Sequence, residues 1–191
     1  MGEDGIYNEL EAVGIKCHGR EDASETDVNV IKTMNSLIRT VVVGLDRQIN
    51  YVKLSRAASY IRDYGCSFVA TNTDASYPYP DNILAGGSGC IVAAIQVAAG
   101  REPDCVVGKP NRAFIDLVRS RQPELQQTDI LMVGDRLDTD IAFARRNQIH
   151  SLLVLSGVTT EEGLEKAEEA LLPEFYTDSL QDVFALLSKP L

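Results

Sequence analysis

Two stretches of the sequence carry side chains whose type and spacing suit chemistry on a phosphate. The first is "CVVGKP" (105–110), where Lys109 stands just past an apolar run. The second is "ILMVGDRLDTDIAFA" (130–144). There, four apolar residues lead into Gly134, and Asp135, Asp138 and Asp140 fall within six positions before a helix begins. Carboxylates hold hard divalent cations and an ammonium neutralises phosphoryl oxygens, so a lysine with a pair of aspartates at one sheet edge suits a phosphate bound with Mg2+. Each motif alone has a plainer reading. A lysine after a strand is ordinarily solvated, and an aspartate before a helix ordinarily serves as N-cap or dipole partner. Their joint occurrence at the ends of consecutive strands points to a site, because open parallel sheets bind ligands beyond the carboxyl ends of their strands. Gly108 and Gly134, having no side chains, allow a phosphate to approach the backbone closely.

The elements that must position these residues are legible as alternating periods. "TVVVGL" (40–45) reads as a short buried strand. Leu54, Ala57, Ala58 and Ile61 then recur at helical spacing up to Gly65, and "CSFVAT" (66–71) reads as the next strand. A strand-helix-strand unit of this kind implies a parallel pair. "NTDASYPYPDNILAGGSG" (72–89) reads as a long loop, a feature more often functional than not, and "CIVAAIQVAAG" (90–100) as a helix stopped by Gly100. From residue 104 strands and helices alternate: "DCVVG", "RAFIDLVRS", "DILMVG", "DIAFARRN", "SLLVLSG", a polar-faced helix "EEGLEKAEEALL" and a last helix "SLQDVFALL". The pattern predicts an α/β fold with a parallel sheet covered on both faces, and "AAGREPD" (98–104) predicts a domain boundary near residue 100.

The composition restricts the partners. The 191 residues are 45% apolar, enough for one large domain or two small ones. No run of eighteen apolar residues exists, so no membrane span is expected, and the acidic start "MGEDGIYNEL" lacks an apolar signal region. Ile6 stands where a myristoylation signal has Ser or Thr. Cys17, Cys66, Cys90 and Cys105 show no C-x-x-C spacing and read as reduced core residues of a cytoplasmic protein. The net charge of −10 argues against nucleic acid or an acidic membrane surface as a partner, and it requires any phosphate site to supply its own local positive charge.

Taken together, "VVGKPN" (106–111) and "MVGDRLDTDI" (132–141) resemble motifs III and IV of the haloacid dehalogenase (HAD) superfamily of phosphatases. The resemblance narrows to the branch with a C2-type cap, which holds 4-nitrophenylphosphatase, phosphoglycolate phosphatase and pyridoxal phosphate phosphatase. Residues 41–74 resemble that branch through its cap, 2–19 the start of the cap, and "LLVLSGVTTEE" and "PEFYTDSLQDV" its C-terminal end. The resemblance implies a C2-type α/β cap over residues 1–100, followed over 101–191 by the C-terminal half of a doubly wound, Rossmann-like core. It implies a Mg2+-dependent phosphomonoester hydrolase in which an aspartate of a D-x-D-x-T/V motif forms an aspartyl-phosphate, the second aspartate acting as general acid and base. Carried over by motif, Lys109 orients nucleophile and phosphate, Asp135 ligates Mg2+ and Asp140 steadies the metal's hydration shell; Asp138 has the weaker claim. Asn72 and Asp74 match the opening of the cap loop that sets substrate choice. Tyr77 stands where a pyridoxal phosphatase has histidine; it either contacts a substrate or packs the loop onto the cap. A small phosphorylated metabolite such as phosphoglycolate, or nitrophenyl phosphate, therefore fits better than pyridoxal phosphate. Caps of this branch often mediate homodimers, so the resemblance allows a homodimer through the cap and leaves the oligomeric state open.

The family's nucleophile motif is missing. The sole D-x-D is Asp138 to Asp140, already part of motif IV, and Asp46 in "GLDRQ" lacks a partner aspartate. The chain is thus expected to be N-terminally truncated relative to the family and inactive alone, with apolar faces of its core half uncovered. Each exposed apolar side chain forgoes about 1.5–3 kcal/mol against total stabilities of roughly 5–15 kcal/mol. Relatives usually have glycine where this chain has Ala144 and Gln148; a left-handed Gln148 would cost a little stability. His18 and His150 lie outside the motifs. The alternative from another class is a non-catalytic module for dimerisation or partner binding. An unrelated nucleotide binder is disfavoured, since neither G-x-G-x-x-G nor a P-loop occurs.

Overall fold

The computed structural model describes residues 1–187. Its first elements are helix α1 (Asp4–Ala12), strand β1 (Thr40–Val43), helix α2 (Tyr51–Arg62) and strand β2 (Ser67–Ala70). The hairpin strands β3 (Ser76–Tyr79) and β4 (Ile83–Gly86), helix α3 (Ser88–Ala99) and strand β5 (Cys105–Val106) follow. β1, β2 and β5 form a parallel sheet in that order, with Val43 opposite Ala70 and Val69 opposite Cys105. Alternate residues of β1 and β2 (Val41, Val43, Phe68, Ala70) are buried against Ala57, Ala58 and Ile61 of α2 and Ile91, Val92 and Ile95 of α3, as period-2 and period-3.6 apolar patterns demand. Asn50 starts α2 by accepting the Lys53 amide (2.8 Å), and Gly100 ends α3 in a left-handed conformation, φ 71°.

A second set of elements begins after residue 108: helix α4 (Ala113–Arg121), strand β6 (Leu131–Gly134), a π-helical turn (Leu137–Ile141), helix α5 (Ala142–Asn147) and strand β7 (His150–Val154). Helix α6 (Glu161–Glu165), strand β8 (Phe175–Thr177) and helix α7 (Leu180–Leu187) complete it. Both pairings of its three-stranded sheet, ordered β6-β7-β8, are parallel. Its core is small: Ile115, Phe143, Ala144 and Ile149 are buried, with Val118, Ile130 and Met132 packed beside them. Phe114, Leu117, Leu131, Val133 and Phe175 remain exposed.

The chain divides into two compact units, Met1–Val107 and Gly108 onward. The division falls just past the turn at 98–104, because β5 pairs with β2 and so closes the first sheet. The strands preceding Lys109 and Asp135 are therefore in different sheets, not consecutive in one. Three further expectations change. The loop at 72–89 contains the antiparallel hairpin β3–β4, turned at Pro80–Asn82 with Asp81 at φ 62°; Pro78 and Pro80 hid its strand period. The helix expected over 161–172 stops at Glu165 and resumes as a single 3-10 turn, Glu169–Leu171. It buries no residue, so its one i,i+4 ion pair, between Glu162 and Lys166 at the helix end, has no packing to extend it. Of the four free cysteines Cys66 alone is a core residue; Cys17 is half-buried, and Cys90 and Cys105 are exposed. Gln148 does take the left-handed conformation, φ 55°, at the end of α5. No helix among the described residues is long and apolar enough to cross a membrane.

Candidate active site

The second unit gathers Lys109, Asp135 and Asp140 around the carboxyl end of β6. Lys109 Nζ donates to Asp140 Oδ1 at 2.5 Å. The other Asp140 oxygen accepts the backbone amides of Asp135 and Arg136, both at 3.1 Å. Asp140 reaches back this far because the π-helical turn places it over the strand end, where the Arg136 carbonyl accepts the amides of both Asp140 and Ile141. A side chain on Gly134 would collide with the Asp140 carboxylate. The room at Gly134 is thus filled by a residue of this chain, not left for a ligand. The Gly108 carbonyl accepts both the main-chain and side-chain amides of Asn111, which closes the turn carrying Lys109.

The three aspartates differ in what they have left to give. Asp140 is buried with both oxygens engaged. Asp138 is clasped by the Arg136 guanidinium at 2.7 and 3.0 Å, which holds its carboxyl below the usual range. Asp135 Oδ2 accepts the Val158 amide at 2.8 Å, and among the described residues no hydrogen bond goes to its Oδ1. No group of three His, Cys, Asp or Glu side chains assembles as a metal cage among the described residues. Mg2+ does not demand one: it keeps several waters and is commonly held by one or two carboxylates together with substrate phosphate. The open oxygen of Asp135 is a single donor of that kind.

Comparison with known proteins gives the relatives of this chain. The HAD-hydrolase-like family model matches residues 106–183, a span that contains Lys109, Asp135 and Asp140. The chain is 38% identical over 187 residues to phosphoglycolate phosphatase 1A, chloroplastic, of Arabidopsis thaliana, covering 95% of this chain and 51% of that protein. Its fold superposes on a p-nitrophenyl phosphatase from Archaeoglobus fulgidus with a TM-score of 0.78 at 30% identity, covering 97% of this chain and 65% of the other. It superposes on a glycerol phosphate phosphatase from Mycobacterium tuberculosis, solved in complex with magnesium, with a TM-score of 0.77 at 32% identity, covering 96% and 50%. Over residues 106–183 the chain matches the HAD-hydrolase-like family, and over nearly its whole length it is similar to these phosphatases. It spans about half to two thirds of the length of these relatives.

The remaining HAD-like candidates lie in the first unit. Asn72 Oδ1 accepts the Asp74 amide at 3.2 Å, an Asx turn, and the Asp74 carbonyl accepts the Gly89 amide at 2.9 Å. Side chains on Gly87 or Gly89 would strike the carbonyls of Thr73 and Asp74, so the glycine-rich string serves this packing. Tyr77 is half-buried on β3, paired with Ala85 and set edge-on to Tyr79 at 6.3 Å between ring centroids. Asp46, the other strand-end aspartate, is buried against Lys53 at 2.8 Å. Sequence reasoning missed Gly157 and Val158, which touch Asp135. A glycine three residues past β7, beyond the carboxyl end of a parallel strand, was the available signal.

Proposed function

We propose that this chain supplies the cation- and phosphate-holding part of a Mg2+-dependent phosphomonoester hydrolase acting on a small phosphorylated metabolite of the phosphoglycolate or nitrophenyl phosphate kind. The observation that carries the reading is the Lys109–Asp140 pair beside the open oxygen of Asp135. Lys109 gives one proton to Asp140 and keeps two for phosphoryl oxygens, and its side chain is 41% exposed. Asp140 fixes the direction of that ammonium and, through the two amides it accepts, the turn that carries Asp135. Asp135 offers Oδ1 to the cation. Bound Mg2+ would neutralise charge on the phosphoryl oxygens.

None of these aspartates suits the role of nucleophile. Asp46 is sealed by Lys53, Asp138 is held by Arg136, and both oxygens of Asp140 are engaged. The family's covalent step needs the D-x-D-x-T/V aspartate, which this sequence does not contain. The 191-residue chain by itself is therefore expected to release no nitrophenol from nitrophenyl phosphate with Mg2+. Mixing it with a polypeptide that carries the D-x-D-x-T/V strand is expected to produce turnover that Lys109→Met abolishes. Turnover by the chain alone, lost in Asp135→Asn, would refute this division of labour. A homodimer through the first unit belongs to the same proposal, supported by Tyr79, Ile83 and Leu84 exposed on the hairpin.

A further inference from the structure

We infer that the turn at 155–160, between β7 and α6, is a positioning device for the Asp135 carboxylate, with Gly157 and Val158 as its working residues. The inference rests on the reading of Asp135 as a cation ligand. Val158 donates its amide to Asp135 Oδ2 at 2.8 Å, and the Thr159 amide donates to the Asp135 carbonyl at 3.0 Å. Side chain and main chain of one aspartate are thus gripped by two successive amides. A Cβ on Gly157 would run into the Asp135 carboxylate from its Oδ2 side. Gly157 is not among the residues with left-handed φ, so Asp135, and not the backbone, accounts for the missing side chain.

The turn is itself tethered at both ends. The Leu155 amide donates to the Thr177 carbonyl at 3.0 Å, and the Thr160 hydroxyl accepts the Gly163 amide at 3.2 Å to start α6. Thr159 is buried, while the Val158 side chain is 54% exposed, so Val158 contributes through its amide and not its isopropyl group. With Oδ2 turned to the Val158 amide, Oδ1 is the oxygen that accepts no hydrogen bond among the described residues, which sets the orientation in which Asp135 would meet a cation. Hydrogen-bonding partners of ligating carboxylates typically govern metal affinity by 10–100-fold.

Mn2+ serves as the probe, because its paramagnetism broadens amide resonances even at a weak site. In the 191-residue chain, amides around Asp135 are expected to broaden on titration with Mn2+, and Asp135→Asn to abolish the effect. Gly157→Ala and Val158→Pro are each expected to raise the half-effect Mn2+ concentration tenfold or more, with the other resonances of the second unit in place. Val158→Ala, which retains the amide, is expected to match the wild type. The Val158 amide proton gives a second readout that needs no Gly157 variant to fold: it is expected downfield in the wild type and shifted upfield in Asp135→Asn. If Asp135→Asn keeps the wild-type Mn2+ response, the metal reading and this inference both fall. If Asp135→Asn abolishes the response but Gly157→Ala and Val158→Pro respond like the wild type, or the Val158 proton does not move, the positioning role alone is overturned.

Discussion

Each unit contains a lysine–aspartate pair, and the two have similar contacts in opposite surroundings. Lys53 and Asp46 meet at 2.8 Å with side chains 4% and 3% exposed. Lys109 and Asp140 meet at 2.5 Å, but there the lysine is 41% exposed and the aspartate 4%. Both carboxylates also accept backbone amides, Asp46 from Gln48 and Asp140 from Asp135 and Arg136. The difference therefore lies in the cations. The Lys53 ammonium is enclosed with its partner, so the pair can only fasten the end of β1 to α2. The Lys109 side chain is partly open to water while its partner's is not, so a ligand can share the lysine without breaking the pair. Access to the donor, not closeness of contact, separates a fastening from a binding group.

Removing one member of the enclosed pair is the strongest way to break this comparison. Lys53→Met leaves the Asp46 carboxylate buried and uncompensated, which is expected to destabilise the first unit by about 3–5 kcal/mol. The double variant Asp46→Leu/Lys53→Met is expected to recover most of that loss, since a desolvated ion pair is often no better than an apolar replacement of similar volume. Urea denaturation followed by resonances of the first unit measures both. A single variant within about 1 kcal/mol of the wild type would mean that water reaches this pair, and the contrast with Lys109 would vanish.

Lys109→Met sharpens the other side. Asp140 keeps its two amide donors and the lysine site is open to water, so the expected loss of stability is about 1 kcal/mol. The effect on anion binding is expected to be much larger: inorganic phosphate that perturbs the Lys109 region of the wild type in the presence of Mg2+ should no longer do so. A loss of stability equal to that of Lys53→Met, with phosphate binding intact, would make Lys109 a fastening as well.

These features were unequally visible in the sequence. β1, β2 and β6 were legible as short apolar runs and α2 by its near-3.6 apolar spacing, each bounded by glycine or a cap. Lys109 and the aspartates were legible as a group by type. The sheet that carries the strand before Lys109 was not, because two residues, Cys105 and Val106, pair with β2, and a partner strand is a property of the fold that no local period encodes. Asp46 and Lys53 are seven apart. Nothing in that spacing announces a contact until the Asn50 cap sets the start of α2 and the lysine falls in its first turn, pointing back at the strand end. Gly157 reads from sequence as an ordinary turn glycine; that its missing side chain makes room for a carboxylate 22 residues earlier emerges once the sheet aligns the ends of β6 and β7.

A third pair, between Arg47 and Glu3, extends the series to the fully wet end, with side chains 65% and 41% exposed. The guanidinium grips the carboxylate at 2.9 and 3.1 Å, and the Arg47 amide adds a third bond at 3.0 Å. That side-chain bond, reinforced by the amide, pulls the Glu3 carboxyl from its ordinary 4.5 down to about 2. A carboxyl whose folded value is depressed stabilises the fold above its unfolded pKa, and the contribution fades as pH falls toward the folded value. The stability difference between wild type and Glu3→Gln is therefore expected to be constant above pH 5, to shrink between about 4.5 and 2, and to vanish below. Solvent screens a pair this exposed, so the effect is expected to be the smallest of the three, a melting temperature lower by about 1–3 °C at neutral pH and less in high salt. If Glu3→Gln instead matched Lys53→Met in size, exposure would not be what ranks these pairs, and the argument that sets Lys109 apart from Lys53 would lose its physical basis.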